Sequence, residues 1–135
     1  KGMLAALILG ADGVQIGSRF VATPEASSHV AYKNLVVEAE EGATELTLKE
    51  LAPVRLLKNK FYEEVKALYQ TTPSKEELVN LLGRGRAKKG MFEGDTEEGE
   101  LEIGQIAGII KEIKPAADIV EEIITEYKNS VLPKF

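Results

Sequence analysis

The first twenty residues constrain the fold of this chain more than any other segment. Residues 1–9 are almost entirely apolar and rich in alanine and leucine, which predicts a helix that other elements cover on most sides. Gly10 stands where a C-cap glycine belongs, and residues 11–13 predict a turn. Residues 14–16 are a short β-branched run, typical of a buried parallel strand, which stops at Gly17-Ser18. A helix, a turn and a strand in this order predict one unit of an α/β fold.

The start of the chain carries no helix-start signal. Residue 1 is a lysine rather than a methionine, and no capping residue precedes the apolar helix. We therefore expect that a preceding part of the fold lies outside this sequence.

The composition excludes several classes of protein. The formal net charge of −5 argues against nucleic acid and against an anionic membrane surface, because both require a basic footprint. Without cysteine there is no disulfide framework and no thiolate metal site, and the acidic run 95–102 lacks the spacing of a calcium loop, so no metal site is predicted. No apolar run reaches the roughly 18–20 residues of a membrane span, and no signal peptide is visible. We expect a cytoplasmic protein.

Most of the remaining chain is predicted to be helical. In residues 23–25, a threonine cap, a proline and an acid predict a helix to about residue 41, ended by Gly42. Residues 74–77 read Ser-Lys-Glu-Glu, a capping box that begins a helix reaching about residue 82. Further helices are predicted over residues 60–69, 103–113 and 115–129.

Other segments are predicted to be less regular. Residues 44–48 are β-prone, and residues 54–57 fit a strand or a helix. The glycines within residues 83–86 interrupt the helix before them, and the glycine- and acid-rich residues 90–99 predict an exposed loop. This pattern fits the end of a barrel with a helical appendage, and it also fits a small α+β domain.

Gly17-Ser18 is the segment that most suggests chemistry. A strand that ends in these residues exposes consecutive backbone N–H groups with no large side chain in the way, and such a nest binds phosphate. In (β/α)₈ barrels, the loops after the last two strands commonly form a phosphate site. The alternative is an ordinary strand end with a glycine turn.

Residues 10–20, Gly-Ala-Asp-Gly-Val-Gln-Ile-Gly-Ser-Arg-Phe, resemble the eighth-strand segment of the nitronate monooxygenase and enoyl-ACP reductase II family. The resemblance continues in order through further short elements, which are Arg55 to Asn59, Gly83, Gly85, Gly94-Asp95, Gly99 and Gly104 to Gly108. It implies that residues 1–42 form the C-terminal end of an FMN-binding (β/α)₈ barrel and that residues 43–135 form a mostly helical extension near the barrel mouth. The N-terminal barrel portion would then be missing from this sequence.

The same resemblance implies a cofactor site. The backbone amides of Gly17 and Ser18 would hold the FMN phosphate, and Gly104 with Gln105 would line the flavin pocket. Ile103 departs from the small residue that is common before Gly-Gln in the family. The alternative for Gly104 and Gln105 is a glycine-containing helix packed tightly against a neighbour. The catalytic histidine of the family lies on an earlier strand, and His29 does not match it.

Two chemistries follow from this resemblance. The first is oxidation of a nitronate with O₂, and the second is NAD(P)H-dependent reduction of an enoyl thioester. Both reactions use small-molecule substrates. A homodimer is a further expectation. A non-catalytic module that binds a phosphorylated ligand or a protein is a further alternative. Another phosphate-binding barrel, such as an IMP-type dehydrogenase, is disfavoured by the Gly-Gln-Ile-Ala-Gly element at 104–108.

A basic cluster, which consists of Arg84, Arg86, Lys88 and Lys89, has two interpretations. It would meet an acidic carrier protein or a phosphorylated substrate tail, or it would be a solvated face balanced by the acids of residues 93–102. We favour the solvated face. Arg55 and Lys58 are interpreted in the same way.

Overall fold

The computed structural model describes residues 1–130. Its helices are α1 (Gly2–Ile8), α2 (Ser18–Val21), α3 (Val30–Glu38), α4 (Lys60–Tyr69), α5 (Lys75–Leu82) and α6 (Ala116–Asn129). Two strands, β1 (Thr44–Thr47) and β2 (Val54–Leu57), lie between α3 and α4. A π-helical turn covers Lys88–Phe92, and a 3₁₀ helix covers Gln105–Ile109. The described residues thus form a mixed, mostly helical α/β structure and close no barrel.

Local sequence signals set several of the helix ends. After α1, Gly10 adopts φ +97°, and the N–H groups of Gly10 and Ala11 donate to the carbonyls of Leu7 and Ala6, as in a Schellman motif. The predicted capping box is present, with Ser74 Oγ accepting from the Glu77 N–H and the Glu77 carboxylate accepting from the Ser74 N–H. The helices predicted over 60–69, 74–82 and 115–129 are confirmed.

Two predictions about the first 42 residues are wrong. Residues 14–16 are extended but form no strand within the described chain, and Val14 and Ile16 are 41% and 39% exposed. A strand needs a hydrogen-bonded neighbour, and the described residues supply none at this position. The second error concerns the helix predicted from residue 23. Thr23 Oγ1 accepts from the Ala26 N–H and closes only a turn, and α3 begins at Val30.

The sheet is centred on an antiparallel hairpin, in which Thr44 faces Leu57 and Thr47 faces Val54. Residues 101–103 lie along the other edge of β2. The Leu57 N–H donates to the Leu101 carbonyl (2.9 Å), and the Ile103 N–H donates to the Arg55 carbonyl (3.0 Å). A segment 44 to 48 positions further along the chain is therefore held against β2 by main-chain hydrogen bonds.

Two apolar clusters lie on opposite faces of β2. Leu57 packs with Tyr32, Val36, Leu101, Ile103 and Ala107 on one face. Leu56 packs with Leu48, Phe61, Val65 and Leu78 on the other. Alternate residues of a strand face opposite sides of the sheet, so the hairpin joins the α3 part of the chain to α4 and α5.

Two further predictions need correction. Residues 90–99 are not simply an exposed loop, because Gly90 and Gly99 are buried against each other and Asn59 Nδ2 donates to the Gly99 carbonyl (2.8 Å). Residues 103–113 contain only the 3₁₀ helix at 105–109, because residues 101–103 are engaged with β2 and Lys114 N–H bonds to Ala22. Pairing with distant segments overrides the local preference for helix.

Helix α1 does not become buried as predicted. It contains no buried residue, and Ile8 and Leu9 are 56% and 88% exposed. Apolar side chains of residues 14–20 and α6 continue this surface, which includes Val14, Ile16, Phe20, Val120 and Ile124. The described chain therefore leaves one apolar face uncovered. None of the helices within residues 1–130 combines the length and the apolar character needed to traverse a bilayer.

Candidate functional site

A cleft of about 400 Å³ lies where α2, β2 and the segment after residue 101 converge. Its lining consists of Gly17, Ser18, Val21, Pro53, Val54, Arg55, Glu102, Ile103 and Gly104. Three of the four cofactor-site residues predicted from sequence, Gly17, Ser18 and Gly104, thus meet in one open depression, although 86 positions separate Ser18 from Gly104.

Within residues 1–130, one hydrogen bond joins Ser18 on one side of this cleft to Gly104 on the other. The Gly104 N–H donates to Ser18 Oγ at 3.0 Å. The approach is close enough that a Cβ built on Gly104 would lie 2.6 Å from Ser18 Oγ. A side chain at residue 104 would therefore displace Ser18 Oγ from this hydrogen bond.

Gly17 and Ser18 line the cleft at the start of α2. A Cβ on Gly17 would meet no atom within 4 Å, so the space above this residue is open. The N–H groups at the start of α2 have no acceptor within the helix. Ser18 Oγ accepts from Gly104, and its own O–H bonds to no acceptor in residues 1–130, so this proton can point to a ligand.

The cleft contains one charge of each sign. Arg55 is partly buried on β2, and Glu102 is exposed on the neighbouring segment. The Glu102 carbonyl accepts from the Tyr32 hydroxyl, and burial followed by the Glu102 charge raises the pKa of Tyr32. Tyr32 therefore remains a protonated donor and anchors the Glu102 main chain from the core side.

Gln105 lies beside the cleft rather than in its lining. It is the first residue of the 3₁₀ helix, and its side chain is exposed. Its predicted contact with the flavin stays a prediction.

His29 has a structural contact at the start of α3. Its Nδ1 accepts from the Ala31 N–H (3.1 Å), and its ring packs against Gly94. No observation places it in the cleft.

Three of the four members of the basic cluster, Arg86, Lys88 and Lys89, contact acids, as in the interpretation we favoured. Lys88 contacts Glu93 at 2.8 Å, and Lys89 contacts Asp95 at 3.0 Å. Arg86 donates to the carbonyls of Leu82 and Glu98, and its guanidinium stacks on the ring of Phe61. These contacts give Arg86 a structural role, whereas the ion pairs of Lys88 and Lys89 lie at the surface and contribute little to stability.

The cleft fits the phosphate end of a ligand better than it fits an aromatic ring. It offers main-chain amides beside an open glycine, a free serine O–H and a guanidinium, and these are the groups that bind phosphate in proteins. The Glu102 carboxylate would repel an anion, and it limits the positive potential in the cleft. The described residues show no buried slot that would enclose a flavin ring.

Arg55 and Glu102 were not predicted to be cleft residues. Arg55 belonged to a short basic segment interpreted as solvated, and Glu102 belonged to an acidic run. The alternation of side chains along β2 could have indicated the position of Arg55, because it places Arg55 on the same face as the buried Leu57. The position of Glu102 depends on pairing with β2, which has no local signal.

Comparison with known protein families and with individual proteins identifies the same family. A sequence model of the family described as nitronate monooxygenase matches residues 1–126. A probable nitronate monooxygenase from Bacillus subtilis is 34% identical over 84% of this chain and 33% of its own length. A nitronate monooxygenase from Neurospora crassa is 27% identical over 97% of this chain and 36% of its own length.

Solved structures agree with these matches. The structure of FabK from Thermotoga maritima superposes with a TM-score of 0.80 and 38% sequence identity, over 94% of this chain and 40% of that one. This chain therefore spans about a third of the length of the curated relatives it matches, and 40% of this solved structure.

Proposed function

The chain belongs to the nitronate monooxygenase family, a family of FMN-dependent oxidoreductases, and from this premise we propose that it supplies the phosphate-binding side of the flavin site in an enzyme that oxidises nitronates with O₂. In this proposal residues 1–42 are the end of the (β/α)₈ barrel, and residues 43–135 are the extension that returns to its mouth. The exposed apolar face of α1 and residues 14–16 would pack against the rest of the barrel.

The observation that carries the proposal is the hydrogen bond between Gly104 and Ser18. It brings the Gly-Ser end of the barrel segment against the Gly-Gln element of the extension, although nothing in the local sequence requires them to meet. Both elements carry the family resemblance, and they meet at a cleft that presents amide and hydroxyl donors.

The chain's own residues have a binding role in this reaction. When bound, FMN supplies the redox chemistry, and the protein positions it. Gly17 and Ser18 amides would hold the phosphate, the Ser18 O–H would donate to a phosphate oxygen, and Gly104 would keep Ser18 in place. Gln105 would contact the ring side of the pocket. The catalytic base is not among these residues.

The experiment is flavin binding by the purified full-length protein, followed by activity. Absorbance maxima in the blue and near-UV identify bound flavin, and oxygen uptake with a nitronate measures the oxidase chemistry. Ser18→Ala removes a hydrogen bond to a charged group, worth about 1.5–3 kcal/mol, and should weaken FMN binding about 10- to 100-fold. Ser27→Ala, an exposed serine outside the cleft, is the control.

A second variant tests the space above the phosphate amides. Gly17 has φ −101°, which any residue adopts, and its Cβ position is open, so Gly17→Leu should fold normally. Its side chain would occupy the phosphate position and reduce FMN binding. Unchanged FMN affinity in both Gly17→Leu and Ser18→Ala would show that the cleft is not the phosphate site.

Enoyl thioester reduction is the second candidate, because FabK, an enoyl-ACP reductase II, is 38% identical to this chain. It requires NAD(P)H and would be recognised by NADH consumption with crotonyl thioester. Oxygen uptake with a nitronate and no NADH consumption would favour the first candidate, and the opposite pair of results would favour the second. Fold similarity does not choose between them.

A further inference from the structure

Arg55 is held in the cleft by fixed contacts on two sides. Its Nη1 donates to the carbonyl of Thr44 (3.2 Å) and to Thr44 Oγ1 (3.3 Å). Its own carbonyl accepts from the Ile103 N–H at 3.0 Å. Both the main chain and one end of the guanidinium are therefore constrained before any ligand arrives.

Strand β2 places the Arg55 side chain on the face of the hairpin that borders the cleft. Arg55 alternates with Leu56 and shares a face with Leu57, which packs with Ile103 and Ala107. That face looks toward α2 and the segment that carries Gly104. Pro53 and Val54 continue the same cleft wall.

Arg55 forms no direct salt bridge within residues 1–130, although its charge, after the hydrogen bond from Tyr62 and the nearby lysines, lowers the pKa of the Glu45 carboxyl. Within residues 1–130, no carboxylate oxygen lies within 4.0 Å of its guanidinium nitrogens, although Glu102 lines the same cleft. Only Nη1 is hydrogen-bonded, so the other guanidinium N–H groups lack a protein acceptor in the described chain. A partly buried arginine is usually paired.

Arg86 shows the contrasting case in this molecule. It is also partly buried, but it donates to the carbonyls of Leu81, Leu82 and Glu98 and lies 3.9 Å from the Glu98 carboxylate. Arg86 is thus satisfied by the fold, whereas Arg55 retains guanidinium N–H donors that have no acceptor in residues 1–130.

We propose that Arg55 is an anion-binding residue of the cleft and that its guanidinium contacts the phosphate held at Gly17 and Ser18. The inference rests on the proposed function, because it names a further residue at the same site. Thr44 then acts as a positioning residue that orients the guanidinium. A planar fork of donors matches two phosphate oxygens, which a lysine cannot do.

The test compares FMN with riboflavin, which has the same ring system but no phosphate. Affinities of both for the purified protein are measured by quenching of flavin fluorescence. Arg55→Gln should weaken FMN binding about 10- to 100-fold, the effect of losing a hydrogen bond to a charged group, and should leave riboflavin binding unchanged. Arg84→Gln removes the same charge from an exposed position outside the cleft and should change neither affinity.

The outcomes separate this inference from the proposed function. If the unmodified protein binds FMN no more tightly than riboflavin, the phosphate site itself is wrong. If it prefers FMN and Arg55→Gln keeps that preference in full, only the role of Arg55 is overturned. Arg55→Lys keeps the charge and the stem but not the fork, and we expect an intermediate preference. Should Arg55→Gln not fold, an undiminished preference in Arg55→Lys would overturn the inference.

Discussion

Gly90 and Gly99 pack main chain against main chain. A Cβ built on Gly99 would lie 2.1 Å from Gly90 Cα and 2.3 Å from the Asp95 carbonyl oxygen. The contact folds the acidic segment 93–98 back on itself, and Asn59 closes it by donating to the carbonyls of Thr96 and Gly99. Residues 101–103 follow this glycine contact directly in the chain. They pair with β2 and bring Gly104 to Ser18.

Gly99→Ala should therefore strongly destabilise the protein. The neighbouring atoms are backbone and cannot rotate away, and such overpacking costs about 1–3 kcal/mol or more. Urea unfolding measures the loss. Gly13→Ala, at a position where a Cβ meets nothing within 4 Å, is the control and should change the free energy of unfolding by less than about 0.5 kcal/mol. Equal effects of the two substitutions would contradict the packing argument.

Gly104→Ala and Ser18→Ala should be coupled. Alone, Gly104→Ala either places its Cβ 2.6 Å from Ser18 Oγ or makes the Ser18 side chain rotate and lose the Gly104 hydrogen bond, and Ser18→Ala loses that same hydrogen bond, worth about 1 kcal/mol. In the double variant the clashing oxygen is gone, and Ser18 Cβ lies 3.7 Å from the added Cβ, an ordinary contact. A double-mutant cycle in urea should show non-additivity above about 0.5 kcal/mol, with the double variant more stable than the sum predicts. Strict additivity would mean that the two residues do not touch.

Glu77→Gln should make stability less dependent on acid pH. Hydrogen bonds from the Ser74 N–H and then its hydroxyl lower the pKa of the Glu77 carboxyl below its ordinary value of 4.5. A lowered pKa in the folded state stabilises the protein above the unfolded pKa, and this stabilisation is lost as pH falls through the folded value. The stability advantage of the unmodified protein over Glu77→Gln should thus shrink below about pH 4.5. Glu76→Gln, in the same turn but not bonded to Ser74, is the control, and a constant difference across pH would refute the capping role.

Tyr62→Phe should make stability less dependent on alkaline pH. Burial, followed by the hydrogen bond to Glu45 (2.5 Å), raises the pKa of Tyr62 from 10.0 to about 12. A raised pKa in the folded state gives stabilisation that is complete below pH 10 and is lost as pH rises through about 12. Urea unfolding between pH 9 and 12 should show a steeper decline for the unmodified protein than for Tyr62→Phe. The lysines titrate in both proteins and cancel in the difference, so parallel curves would disprove the prediction.

Helices with complete local signals could be predicted from the sequence. Ser74 and Glu77 satisfy each other within one turn, and Asn59 caps α4 through the Tyr62 N–H, so neither helix start depends on distant residues. Residues 14–16 show the opposite case. Their pattern predicts a strand, but a strand exists only when a neighbour completes its hydrogen bonds, and residues 1–130 provide none there.

The candidate site was predictable only in part, for the same reason. Gly17, Ser18 and Gly104 were identified through their resemblance to a family, and the structure brings them into one cleft. Arg55 and Glu102 were missed as cleft residues, because their position follows from the register between β2 and residues 101–103. The sequence of a short strand does not show whether the face that carries a charged residue is exposed to solvent or forms the wall of a cleft.

By itself, the sequence determined the capped helices, the glycine that ends α1 and the family to which the chain is similar, because these depend on bonds within a few residues or on an ordered set of short motifs. Only the tertiary structure decided that residues 101–103 join β2, that Gly90 meets Gly99 and that Gly104 reaches Ser18. These contacts join segments up to 86 positions apart. They depend on which surfaces pack together once the chain is closed, and local propensity carries no information about that.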